Sequence, residues 1–317
     1  MKWVNVRHAD NADTLGVVHE GEVRVLDHVT SLLALIQEGT QTLADAGAKA
    51  FNHPVQVLEL AKVQLAAPLP VVGTVRDFYA FEQHVRTARK GRGLDMDPDW
   101  YELPVFYFSN PYAVCGNDVD VPMAPGTAEM DYELEVAAVV GSWARNATVA
   151  EAQNLVAGYM IMNDWSARDI QRREMKLSMG PVKGKDFATG FGPYFVTPDE
   201  VHDAWKPGAT APDLAMVARV NGVEYSRASL ADVYYSFGQM ISYASRGTQV
   251  APGDIIGSGT CGTGCILELS LTHGLDAYPY LKPGDVVELE VERLGILRNT
   301  VVESLPLHPL TDGESSS

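Results

Sequence analysis

Two carboxylates, Glu133 and Glu135, stand at the head of the apolar run "MDYELEVAAVVG", residues 130 to 141. Side chains of a strand alternate between faces, so these acids share one face while Leu134 and Val136 take the other. Carboxylates at close range repel and are costly to bury unpaired, so a positive group is expected between them, most simply a hard divalent cation. "MNDWSARDIQRRE" adds Asp164. If the segment after "GYMIM" is helical, Asp164, Arg168 and Gln171 fall at i, i+4 and i+7 on one stripe. The plain alternative is a helix cap at Asp164 with a surface ion pair to Arg168. "VRDFYAFEQHV" places Asp77 and His84 seven residues apart, on one face if that segment is helical. Asp77 would complete, with Glu133, Glu135 and Asp164, an all-oxygen set suited to Mg²⁺ or Ca²⁺ rather than zinc, with His84 as a base beside it.

Other residues exclude whole classes of function. Twenty-four basic against 41 acidic residues give a net charge of −17, which argues against nucleic acid as a partner and suits cation capture. The start "MKWVNVRHADNADTLG" has no apolar targeting core, and no stretch approaches the length of a membrane span, so a cytoplasmic location is expected. The three cysteines, Cys115, Cys261 and Cys265, are too few for a disulfide framework. "CGTGC" has three intervening residues rather than two and no second Cys or His pair nearby, so zinc or redox chemistry is not expected of that motif.

The elements that must hold these residues are mainly β. Residues 1 to 65 combine alternating runs, a turn at "HEGE" and one helical segment, "VTSLLALIQEG". Beyond "AAPLPVVGTVRDF" come short β-type runs separated by Gly and Pro, among them "LPVFYF", "VAAVVG", "GYMIMND", "MVARVNGVEY", "CILELSLT" and "DVVELEVERLG". That rhythm suggests a large sandwich, roll or barrel. Helices are expected in "TVAEAQNLV", "WSARDIQRREMK" and "SLADVYYSFGQMISYAS", and mobile loops in "RTARKGRGLDMDPDW" and the polar tail "TDGESSS".

The blocks "RDFYAFEQH", "MDYELEVAAVVG", "MNDWSARDIQ", "GPVKGKDFATGFGP" and "GSGTCGTGCILELS" occur in that order between residues 75 and 295. Together they resemble the fumarylacetoacetate hydrolase superfamily, in a bacterial-type member. The resemblance implies an α+β, mainly β fold: a mixed β-sandwich roll at residues 69–310 behind a small N-terminal α+β domain at 1–68, with a polar tail at 311–317. It also implies a homodimer and a central divalent cation, Mg²⁺ foremost, with Ca²⁺ or Mn²⁺ as alternatives. Carried over by position, Asp77, Glu133, Glu135 and Asp164 would be the metal ligands. His84 would activate the attacking water, with Glu268 fixing its tautomer. Arg168, Gln171 and Lys185 would surround the developing negative charge, and Tyr79 and Thr260 would contact substrate.

The segment between His84 and Pro104 departs from the eukaryotic fumarylacetoacetase pattern, in the place where a lid would close. Arg86, Arg89, Lys90 and Arg92 crowd it, which favours a small anionic substrate and assigns Arg92 to substrate binding. The expected activity is metal-dependent hydrolysis of a C–C bond in a 1,3-diketo acid, an acylpyruvate or fumarylacetoacetate-like compound of aromatic catabolism. Decarboxylase, isomerase or hydratase chemistry on 2-oxo or 2-hydroxydienoic acids is the alternative on the same scaffold. A silent binding protein that keeps the metal for stability is opposed by the competent residue type at every matched position.

Overall fold

A computed structural model of the protein describes residues 1–8, 13–27 and 30–310. The expected tail at 311–317 lies outside the described residues. Within them, two sheets carry the architecture. The larger has twelve strands, ten of them in the order Gln56–Glu59, Glu22–Asp27, Asp13–His19, Lys2–Arg7, Thr189–Val196, Val156–Asp164, Leu134–Val140, Ile255–Gly257, Val75–Phe78 and Phe106–Ser109. The smaller has five: Val223–Ser229, Ala215–Val220, Val286–Val291, Gly295–Val302 and Val119–Pro122. Most neighbours are antiparallel, but Ile255–Gly257 runs parallel to Val75–Phe78, so the sheet is mixed. The N-terminal strands extend this same sheet, because Lys2 and Trp3 pair with Val196 and Phe195.

Alternation sorts the central strand between two cores. Leu134, Val136, Ala138 and Val140 pack in the core shared with Met216, Leu289 and Val301 of the smaller sheet. Ala137 and Val139 face the opposite way, against Leu32, Leu35, Ile36 and Leu43 of the N-terminal helices. A strand covered on both faces reads as a continuous apolar run, which "LEVAAVV" is apart from Glu135. The expected hairpin at "HEGE" is present, with Glu20 and Gly21 both at positive φ, as a tight two-residue turn requires.

Several local expectations are corrected. "CILELSLT" is not a strand: Ile266–His273 is a helix, so Glu268 is helical. Its first two free N–H groups, of Ile266 and Leu267, donate to the Asp131 carboxylate at 2.8 and 2.9 Å, a cap supplied from 135 residues away. Asp164 ends the strand Val156–Asp164, and the following helix starts only at Arg168, so Asp164 is neither on a helical stripe nor the cap. Asp77 lies on the strand Val75–Phe78 and His84 on the helix Glu82–Gly91, not on one helix face. That helix takes in the first half of the expected loop "RTARKGRGLDMDPDW". The rest is pinned where Trp100 donates its indole N–H to Tyr79 O at 2.8 Å and accepts on its own carbonyl from Tyr235. Thr40–Asn52 is a further helix.

One buried ion pair fastens the parallel strands. Arg76 Nη1 donates to Asp254 Oδ2 at 2.9 Å, both side chains being buried; Arg76 Nη1 also donates to Thr74, and Asp254 Oδ2 also accepts from the Ala251 N–H. Removing one member of such a pair leaves the other charge buried and alone. Asp254→Ala is therefore expected to lower the unfolding free energy by about 3–5 kcal/mol in a urea titration. A loss no larger than that of a surface substitution would contradict this role.

Candidate metal and catalytic site

Three strands of the large sheet each deliver an acid to the same face, two of them separated by the short strand Ile255–Gly257. Asp77 follows Val75 by two residues, Glu135 precedes Ala137 by two, and Asp164 follows Met162 by two, and these three apolar residues all belong to the core under the N-terminal helices. Glu133 lies just before its strand rather than within it, fixed by its N–H donating to Asn163 Oδ1 at 3.0 Å. One carboxylate oxygen from each of Asp77, Glu133, Glu135 and Asp164 lies within 4.8 Å of the other three, and all four residues are buried. Gly257 makes the convergence possible. It sits between the strands of Glu135 and Asp77, and a Cβ there would come within 2.5 Å of Asp77 Oδ1.

Two cations share this space. Lys185, from the turn after "GPVKG", donates its ammonium to both Glu133 Oε2 and Asp164 Oδ2. Arg168, at the helix start, is held on three sides: Nε to Asp131 at 2.8 Å, Nη2 to Glu133 at 2.7 Å and Nη1 to Gln171 at 3.1 Å. The surface ion pair of Arg168 with Asp164 does not form. Tyr107 adds a hydrogen bond to Asp164 at 2.6 Å, while Glu135 accepts from the Gly259 N–H at 3.0 Å and faces the Thr260 hydroxyl at 3.5 Å.

Charge remains unbalanced. Burial, and after it the Asp164 charge, pushes Asp77 well above the usual carboxylate range. Burial, then Asp77 and Glu133, does the same to Glu135, and burial raises Asp164 against the pull of Lys185. Burial also opposes ionisation of Glu133, but Lys185 and Arg168 outweigh it and hold that carboxyl well below its usual range. Asp77 Oδ1 and Asp164 Oδ1 are buried without any hydrogen-bond partner. Converging, partly unpartnered carboxylate oxygens fit a hard divalent cation, which would supply the missing positive charge.

Beside the acids, His84 Nδ1 meets Glu268 Oε2 at 2.9 Å, with both residues buried. If Glu268 accepts from Nδ1–H, Nε2 of the neutral ring keeps a free lone pair. Tyr79 stands edge-on to the His84 ring at 5.6 Å, and its hydroxyl is pushed up to about 12 by burial. Thus Asp77, Tyr79, His84, Glu133, Glu135, Asp164, Arg168, Lys185, Thr260 and Glu268 meet in one buried region. Gln171 is half-buried at its rim. Arg92 stands at the edge of this region: it is exposed at a helix end with Nε on Ala88 O, and its charge works against burial at the Tyr79 hydroxyl, while neighbouring Arg86 and Arg89 are engaged by Glu82 and by Asp95 O.

Sequence reasoning missed Asp131 and Tyr107, and it set Cys265 aside with the "CGTGC" spacing. Asp131 is fully buried and ties Arg168 to the start of the Glu268 helix; the only hint was an acid two residues before Glu133 in the same block. Tyr107 gave none, because it alternates within an aromatic strand. Glu135→Gln keeps an oxygen for the Gly259 N–H but removes one repelling charge. The metal-stripped variant is expected to melt about 2 °C or more above metal-stripped wild type by calorimetry. It should also lose the Tm rise that Mn²⁺ or Mg²⁺ gives the wild type. A lower melting point, or an intact metal response, would contradict an ion among these carboxylates.

Comparison with known proteins bears on this arrangement. The family described as fumarylacetoacetate (FAA) hydrolase, C-terminal, matches residues 73–302. Fumarylacetoacetase of Arabidopsis thaliana is 28% identical over 260 residues, 67% of this chain and 61% of that protein, so the chain spans about three fifths of that relative's length. Oxaloacetate tautomerase YisK of Bacillus subtilis is 28% identical over 280 residues, 86% of each chain. Among solved structures, a fumarylacetoacetate hydrolase from Exiguobacterium antarcticum superposes with a TM-score of 0.71 at 27% identity, covering 96% of this chain and 99% of that one. No described helix is long and apolar enough to cross a membrane. With a family match that takes in all four convergent carboxylates, His84 and Glu268, the chain belongs to the fumarylacetoacetate hydrolase family.

Proposed function

We propose that this protein is a metal-dependent hydrolase that cleaves a C–C bond in a small 1,3-diketo acid, of the acylpyruvate or fumarylacetoacetate kind. The observation that carries the reading is the buried 2.9 Å contact between His84 and Glu268 beside four convergent carboxylates. A base held in one tautomer next to an ion site is what activation of water requires. A divalent ion, Mg²⁺ or Mn²⁺, held by Asp77, Glu133, Glu135 and Asp164 would supply Lewis acidity and a template for adjacent substrate oxygens.

The chain's own residues account for the proton and charge movements. His84 Nε2 takes a proton from water, and Glu268 stabilises the resulting imidazolium through Nδ1–H. The hydroxide adds to the substrate carbonyl, and the C–C bond breaks with its electron pair left on the other fragment as an enolate. Lys185 supplies positive charge towards that enolate in a dry site. Arg168 commits three of its five N–H donors to Asp131, Glu133 and Gln171, which fixes it in place, so it orients Glu133 and Gln171 and adds its positive field. Reprotonation of the enolate carbon releases two acids, or an acid and a ketone. Water has then been consumed, and His84 is neutral again.

The match to an oxaloacetate tautomerase over 86% of the chain favours a second reading, keto–enol or double-bond isomerisation through the same enolate. It needs proton transfer but no attacking water. Fold and ion site are common to both readings, which differ in whether water attacks. Following C–C cleavage, CO₂ release and enol–keto conversion with 1,3-diketo acids, oxaloacetate and hydroxydienoates separates the readings. The hydrolase predicts cleavage that chelation abolishes and Mg²⁺ or Mn²⁺ restores. His84→Ala should lower cleavage about 10²- to 10⁴-fold while preserving the Tm rise with Mn²⁺. Near-wild-type cleavage by that variant would remove His84 as the base, and absence of cleavage of any diketo acid by the metal-loaded wild type would overturn the hydrolase.

A further inference from the structure

Cys265 takes no part in the chemistry above, yet it lies against it. The backbone brings it there: the Leu134 N–H donates to Gly264 O at 2.9 Å, and the Cys261 N–H to Leu134 O at 3.1 Å, so the segment before Cys265 runs along the chain that carries Glu133. The thiol is completely buried and in no disulfide. Its sulfur, a ring nitrogen of His84 and a carboxylate oxygen of Glu133 all lie within 4.8 Å of one another. The neighbouring Cys261 is not in this group, so the partners of Cys265 come from distant sequence rather than from the "CGTGC" spacing.

Ligand chemistry separates this triad from the four carboxylates. Four oxygens suit Mg²⁺ or Mn²⁺, whereas nitrogen, sulfur and one oxygen suit a borderline or soft ion, Zn²⁺ or Cd²⁺, and three protein ligands leave a fourth position open. Glu133 is common to both sets. Its oxygens already accept from Arg168 and Lys185, but each carries a further lone pair. We propose that His84, Glu133 and Cys265 form a second, soft-metal site, and that a zinc or cadmium ion bound there inhibits the enzyme by occupying the imidazole and drawing on a carboxylate of the first site. Binding forms a metal–sulfur bond and releases the thiol proton to solvent; nothing is oxidised or reduced. The inhibitory consequence rests on the reading of His84 as the base, whereas the site itself does not.

The test uses the full chain loaded with Mg²⁺ and titrated with Cd²⁺, read by the ultraviolet thiolate-to-cadmium charge-transfer band, and in parallel with Zn²⁺, read by turnover. The band should saturate at one equivalent in wild type, Cys115→Ser and Cys261→Ser, and be absent in Cys265→Ser. Zn²⁺ inhibition should weaken about 10- to 100-fold in Cys265→Ser. His84→Ala, which leaves the thiol in place, should weaken cadmium binding by a similar factor and keeps the test decisive if Cys265→Ser fails to fold. No band in wild type, or a band that survives in Cys265→Ser, would overturn the site. A Cys265-dependent band with turnover undiminished would uphold the site and overturn the inhibition together with the role of His84.

Discussion

The structure depends on the confinement of like charge. Four carboxylates converge within 4.8 Å in a buried space, and a fifth, Asp131, lies behind them, with Lys185 and Arg168 as the cations hydrogen-bonded to them among the described residues. Burial raises three of these carboxyls, and two of their oxygens have no partner. Such a cluster is tolerable because three of the four acids are fixed by partners outside the set. Glu133 is held by Lys185 and Arg168, Asp164 by Lys185 and Tyr107, and Glu135 by the Gly259 N–H. The sheet, the glycine between two of its strands and the buried Arg76–Asp254 pair are all arrangements that keep these acids close.

The two cations have different duties. Lys185 bridges two acids from different strands and has hydrogen-bonding capacity to spare on its ammonium. Arg168 has all three nitrogens hydrogen-bonded, and through Asp131 it is tied to the first turn of the helix bearing Glu268. A single guanidinium therefore links the carboxylate cluster to the His84–Glu268 pair. A change at Asp131 would disturb both halves of the site at once, although Asp131 touches neither His84 nor the converging oxygens.

What the sequence disclosed follows the range of each interaction. Alternation is local, so "ELEVAAVVG" correctly placed Glu135 on one face and Leu134 and Val136 on the other. The set of four acids was also legible, because it needed only residue type and the matched blocks. Their elements were less so. Asp77 with His84, and Asp164 with Arg168, have spacings that fit a helix, but in each case a strand ends between the two residues. "CILELS" reads as a strand because the acid that starts its helix is Asp131, far outside any local window. The charge of Arg92 is legible in the sequence, whereas its exposed place at a helix end, with its field on Tyr79, is not.

The parallel pairing of Ile255–Gly257 with Val75–Phe78 carries a kinetic meaning. These partners are separated by 180 positions, and the acids flanking Gly257 come from strands that meet only when that late segment slots between them. Long-range parallel closures are slow, because chain entropy is lost before contacts reward it. During synthesis the first three quarters of the chain would already have emerged without a finished cation cage. Capture of the ion would thus report completion of the fold rather than guide it, and a nascent or truncated chain would present loose acids that a passing metal cannot grip.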